Sequence, residues 1–184
     1  MKLKAAALGL LLAALVNGPA LAGEFAVASP SLSDGATIGN KHVFAGFGCT
    51  GDNRSPALSW TGAPAEAKSF AVTVYDPDAP TGSGWWHWMA VDLPASTTSL
   101  PRGAGASDED LPGKAFHARN DYGTRDFGGA APPPGDPPHR YIFAVHAVDV
   151  ESLGLTPDVT PAVVAGTLQS HTLARATLRP IYGR

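Results

Sequence analysis

The chain has 184 residues, with 16 acidic against 13 basic side chains and a formal charge of −3. That balance, with no run of Lys or Arg along the chain, speaks against general binding to nucleic acid or to anionic membranes. The single cysteine, Cys49, excludes an internal disulfide and sits in no Cys/His spacing that suggests zinc, so stability must come from a packed core.

Lys2 and Lys4 precede an apolar run from Ala5 to Val16, and Ala20-Leu21-Ala22 follows as a small-x-small cleavage site. This is the pattern of a secretory signal peptide over residues 1–22, leaving a single domain over 23–184. The run is shorter than the ~20 apolar residues a spanning helix needs. The expectation is therefore export to the periplasm or beyond the cell, with cleavage and no stable membrane insertion.

In the mature part, 21 Gly and 17 Pro over the whole chain predict many turns and little helix, hence a mainly β fold. Phe25–Ala28 reads as a short strand, and Asp34-Gly35 as a hairpin tip leading into Ala36-Thr37-Ile38. Gly46–Ser55 is a polar, glycine-rich loop. Pro56–Trp60 has the look of an edge strand with its proline at the start. Ser69–Tyr75 is apolar on both faces and predicts a central, covered strand. In Trp85–Leu93, strict alternation puts Trp85, His87, Met89, Val91 and Leu93 on one face. Asp108, Glu109 and Asp110 belong to a solvated loop rather than a metal site. Arg140–Val150 is the third strong strand; Tyr141, Phe143, Val145 and Ala147 share a face with His139, while His146 points the other way as a structural histidine. Thr160-Pro161 opens a helix with a Thr cap and Pro at the first helical position, and Val164, Leu168 and His171 should face the sheet. A last strand, Ala176–Tyr182, is interrupted by Pro180.

The stretch from Tyr75 to Trp88 organises the rest. It puts Asp76 and Asp78 at the mouth of an apolar strand, breaks the strand with two prolines and two glycines, and opens the next one with His87 among three tryptophans. His139-Arg140-Tyr141 repeats the build, with a histidine at the entry of an apolar strand. A carboxylate beside a buried imidazole raises the proton affinity of the imidazole, whereas burial alone lowers it. Such a set can trade protons and present donors to an anion, with backbone N–H groups of a glycine-rich loop adding more. The two patches are expected to meet in a small anion-binding pocket. Arg140, of opposite parity to His139, is expected to make a structural ion pair.

Tyr75-Asp76-Pro77-Asp78-Ala79-Pro80, Trp86-His87-Trp88 and Pro132-Pro133-Pro134-Gly135 leading to His139-Arg140-Tyr141 resemble the two signature regions of the phosphatidylethanolamine-binding protein family. Together with Gly51–Trp60, their spacing resembles its bacterial, Raf-kinase-inhibitor-like branch. The resemblance implies a central antiparallel sheet, a smaller second sheet and a C-terminal helix. It implies a pocket for phosphate or phosphoryl head groups held by Asp76, Asp78, His87, His139 and Tyr141, shaped by Pro80 and Pro133. It also implies a cis peptide at Ala79-Pro80. One departure stands out: where that branch carries Gly-Pro-x-Pro-Pro in the rim loop, this chain reads Gly129-Ala130-Ala131-Pro132-Pro133, which changes one wall.

The expected function is thus non-catalytic binding of a small anionic or phosphorylated ligand, without cofactor or metal. Ser83 lies between two glycines but lacks the strand-turn-helix setting of a hydrolase nucleophile. The alternatives are an interaction protein, such as a protease inhibitor acting by surface contact, and, further off, a metal-dependent phosphoesterase. A homodimer stays open. When the whole chain is expressed and recovered from the periplasm, it is expected to begin at Gly23, which intact-mass measurement checks.

Overall fold

The computed structural model describes residues 23–184; the signal-peptide expectation lies outside the described residues. Alternation of side chains in the strand β3 (Ser69–Asp76) puts Phe70, Val72 and Val74 on one face and Ala71, Thr73 and Tyr75 on the other. Both faces are covered, and β3 is the centre of a five-stranded antiparallel sheet. Around it the chain sets β1 (Ala26–Ala28), β2 (Leu58–Thr61), β4 (Trp85–Pro94), β5 (Ser99–Leu100), β6 (Phe116–His117), β7 (His139–Arg140), β8 (Ile142–Val148), β9 (Thr172–Leu178) and β10 (Ile181–Tyr182). The large sheet has the order β6-β4-β3-β8-β9; β1-β2-β5 form a second sheet and β10-β7 a two-stranded ribbon. The one α-helix among the described residues, α1 (Pro161–His171), covers part of the other face of the large sheet.

Two cores result. Phe70, Val72, Val74, Trp88, Phe143 and Val145 pack against Leu58, Trp60 and Leu100 of the small sheet. Ala71, Met89, Val91 and Val148 pack against Val164 and Leu168 of α1. Burying each of those helix side chains is worth about 1.5–3 kcal/mol, so the two together outweigh a cap of about 1 kcal/mol. Thr160 stands at the N-cap but its hydroxyl makes no capping bond, so Pro161 alone marks the start. His171 does not join the helix core; it pairs with Asp149 at 2.8 Å.

Several expectations are corrected by pairing that only the folded chain reveals. β2 lies between β1 and β5 and is not an edge; Pro56 falls outside it. Asp34-Gly35 does not tip a hairpin, because Thr37 and Ile38 pair with Ile181 near the C-terminal end. Pairing with β10 takes Arg140 into β7, and Tyr141 donates its N–H to Pro180 O at 2.9 Å, so β8 begins only at Ile142. Every described peptide bond is trans, Ala79-Pro80 included.

Strict alternation in β4 fails at two bulges. Phe70 pairs with Leu93 but Val72 with Ala90, leaving an extra residue at Val91-Asp92; Val74 pairs with Trp88 but Tyr75 with Trp86, leaving His87 extra. A bulge switches the side a residue faces. Met89 and Val91 therefore face the helix, whereas Leu93 and Trp88 face the small sheet. His87 joins that second side and meets Tyr141 edge-on. Asp92 takes φ +59, which aspartate tolerates better than most residues. Its carboxylate accepts Ser152 Oγ–H at 2.6 Å and Leu153 N–H at 2.9 Å. Replacing Asp92 by Ala loses both bonds and keeps the unfavourable φ, so urea unfolding is expected to show a loss of about 2 kcal/mol. Asp92→Asn, which retains an acceptor and the left-handed tolerance, should recover most of it.

Candidate functional site

β3 ends at Asp76 because Pro77 cannot continue the ladder. The chain turns there, and Asp76 Oδ1 accepts Asp78 N–H at 2.8 Å and Ala79 N–H at 3.1 Å. Its Oδ2 accepts His139 Nδ1–H at 2.8 Å, from 63 residues away. Both side chains are buried, with 3% and 4% of their surface exposed. A buried carboxylate needs such partners, and this one has three. The other nitrogen of His139, Nε2, stands 3.5 Å from Asp136 Oδ2.

The bulge in β4 points His87 at the same place. Its Nδ1 lies 2.9 Å from Gly128 O and 3.1 Å from Gly129 O. Two carbonyls can only accept, so Nδ1 carries the proton and the neutral ring leaves Nε2 as a lone pair. That Nε2 is buried without a partner. Tyr122 Oη donates to Gly129 O at 2.9 Å and packs its ring edge-on to His87. Asn53 Oδ1 accepts Gly129 N–H at 2.7 Å, and Gly128 N–H bonds to His87 O, so the rim loop is pinned on both sides.

These groups line a cavity of about 180 Å³, with Asp76, His87 and His139 inside it and Pro80 and Pro133 on its walls. Five of the seven expected site residues therefore meet. Asp78 does not join them. Its Oδ2 accepts both Arg140 N–H and Nε–H at 2.8 Å, and its Oδ1 accepts Nη2–H at 2.6 Å. The Arg140 guanidinium holds the Asp78 carboxyl down at about 2, so this is the ion pair expected of Arg140, on the outer side of the turn. Tyr141 does not line the cavity either. It is 1% exposed, beneath His87, with its hydroxyl buried and unpaired.

Sequence reasoning missed Tyr122 and Phe47, which with Trp85 make an aromatic wall. Tyr122 is held out by Asn120, whose side chain bonds Thr124 and Asp126 across the loop. Phe47 is 65% exposed and has φ +52, unusual for a bulky residue. Arg184 fixes it, donating from Nη2 to Phe47 O and from Nε to Pro132 O, each at 2.7 Å. Phe47 lies in the loop read over Gly46–Ser55; nothing in the sequence pointed from that loop to the cavity. Among the described residues no group of three or more His, Cys, Asp or Glu is placed to hold a metal.

Burial is the main reason the His87 imidazolium is disfavoured, and it brings the ring's pKa down to about 4; the Gly128 and Gly129 carbonyls and Asp76 only partly oppose it. The unfolded chain takes up a proton at His87 below its ordinary value of 6.5, the folded chain only near 4. Stability associated with this residue is therefore full above pH 6.5 and falls as the pH drops toward 4, by about 3 kcal/mol. Urea unfolding at pH 7 and pH 4 should show that much less acid sensitivity in His87→Asn, whose amide keeps a donor near the Nδ1 position.

Comparisons with known proteins place the chain and its fold in a family. Residues 28–183 match the phosphatidylethanolamine-binding protein family. The UPF0098 protein YbcL of Escherichia coli (strain K12) is 48% identical over 170 residues, 92% of this chain and 93% of YbcL. YbhB of the same organism is 47% identical over 84% of this chain and 97% of its own length. The crystal structure of E. coli YbcL superposes with a TM-score of 0.86 over 88% of this chain and 99% of that one, at 49% identity. The phosphatidylethanolamine-binding protein homologue CT736 of Chlamydia trachomatis gives 0.72 at 30% identity, over 87% and 97%. A family match across nearly all the described residues, joined to near-half identity with YbcL, means that the chain belongs to the phosphatidylethanolamine-binding protein family.

Proposed function

We propose that this protein is a non-catalytic binder of a small anion, a phosphate or the phosphoryl group of a larger molecule, in the cavity between β3, β4 and the rim loop. The observation that carries this reading is the buried His87 Nε2, unpartnered inside a hollow that also holds the Asp76–His139 pair. A buried polar atom without a partner costs about 1–3 kcal/mol, and a ligand removes that cost. Phosphate suits it in two ways. A singly protonated phosphate can donate to the Nε2 lone pair, or His87 can take up a proton and donate to the anion. His139 contributes the second imidazole. Asp76 also lines the hollow, but its two oxygens already accept Asp78 N–H, Ala79 N–H and His139 Nδ1–H, so the carboxylate is engaged by donors of the fold.

Size points the same way. Pockets for whole drug-sized ligands run to ~300–1,000 Å³. The cavity of about 180 Å³ suits a phosphoryl group and a few more atoms, with Trp85, Tyr122 and Phe47 as the apolar wall for its substituent. The family's phosphatidylethanolamine-binding description supports a head group as one source of that phosphoryl. The leader read in residues 1–22 would deliver this binding activity outside the cytoplasm. A second reading, inhibition of a protease by surface contact, is favoured by Phe47, 65% exposed at the cavity mouth.

Titration with inorganic phosphate, followed by the fluorescence of Trp85 at the wall, tests the proposal. Binding is expected to weaken at least tenfold in His87→Ala and in His139→Gln. Isotherms identical to wild type in both variants would sink it. Loss of protease inhibition in Phe47→Ala, with phosphate binding intact, would support the contact reading.

A further inference from the structure

The opposite face of the large sheet carries a second and larger cavity, of about 440 Å³. α1 covers only part of that face. Val164 and Leu168 fill the space over Ala71, Met89 and Val91, and a hollow remains between the helix, Tyr75, Trp86 and Ile142, with the buried Thr73 at its base. Trp86, whose ring packs against Tyr75 at 4.4 Å, makes one wall; Ala165 and Leu168 make the other. The charge here has one sign. Cross-strand pairing of His146 with Arg175 brings both to the same side of the sheet, and both line the cavity. No Asp or Glu lines it, and Arg175 forms no ion pair among the described residues. Arg179 is near enough to add to the positive field rather than relieve it.

His146 is not the charge. Its ring is pinned between two hydroxyls, with Nε2 3.1 Å from Thr73 Oγ1 and Nδ1 3.3 Å from Thr172 Oγ1. Burial and Arg175 bring its pKa down to about 3, so at neutral pH it is a polar, uncharged part of the wall. What remains is a guanidinium without a counter-ion at the mouth of a hollow walled by indole and aliphatic surface. Guanidinium is the side chain best shaped to hold a carboxylate through two parallel bonds.

We infer that this cavity is a second ligand site, separate from the first, that takes an amphipathic carboxylate: an anionic group on Arg175 and a flat apolar body between Trp86 and α1. The volume falls within the range of small-molecule pockets, which the first cavity does not reach. The site differs from the first in its chemistry, since it offers a fixed positive charge and no buried acid.

The probe is 2-naphthoate, with 2-naphthamide as its uncharged isostere, both titrated calorimetrically into the wild-type protein. The carboxylate is expected to bind at least tenfold more tightly than the amide. In Arg175→Gln that difference should disappear, while binding of inorganic phosphate stays as in wild type. Ala165→Trp, which fills the hollow from the helix, should abolish binding of both. Saturating phosphate should leave naphthoate affinity unchanged. Equal affinity for acid and amide in wild type, naphthoate binding unaltered by both substitutions, or no binding at millimolar probe would each overturn the inference.

Discussion

The carboxylate of Asp76 is the constraint on which the site depends. It is buried, and it accepts from three donors: two backbone N–H groups of its own turn and the imidazole of His139. The first two shape the exit of β3. The third ties that exit to β7, the short strand that precedes the third long one. Removing a partner would leave a buried carboxylate oxygen short of a donor, which costs more than an exposed ion pair contributes. One side chain therefore closes the turn, orients a histidine and forms the floor of the cavity.

Around that anchor the fold uses both faces of one sheet. The face toward the small sheet ends in the narrow hollow of His87 and His139; the face toward α1 ends in the wider one beside Arg175. The narrow hollow has buried acid and base groups and an orphaned ring nitrogen. The wide one has a fixed cation and no acid. Bulges in β4 make the arrangement possible: without the extra residue at His87, its ring would not share the face of Trp88 and Tyr141. The rim is held by bonds from distant segments, Asn53 to Gly129 and Arg184 to Pro132, because its prolines donate none of their own.

Much of this was legible in the chain. The apolar runs around Phe70 and Phe143, the helix opened by Pro161 and the break at Pro180 follow from local patterning, and each forms where it was expected. Asp76, His87 and His139 stood out as titratable groups at the ends of apolar strands, and they meet. Asp78 and Tyr141 share those same segments but lie on the wrong side of a turn or one layer too deep. Asp78 is claimed by Arg140, and Tyr141 packs below the His87 ring instead of lining the cavity. Alternation misassigned Met89 and Val91, which face the helix rather than the side of His87 and Leu93, because a bulge has no reliable mark in a single sequence. Tyr122 and Phe47 reach the cavity from loops whose position comes from contacts far along the chain.

What the sequence alone determined is the class of structure and its chemistry: a β-rich domain, strand-end carboxylate and imidazoles, and membership suggested by motifs in combination. These are local properties, set by composition, parity and turn residues within a few positions of one another. What only the tertiary structure decided is which of those groups share a space. Asp76 and His139 lie 63 residues apart, and Phe47 is bound by Arg184 across 137. Such partnerships arise from register, bulges and layer packing, where one extra residue in a strand turns a side chain from one face to the other.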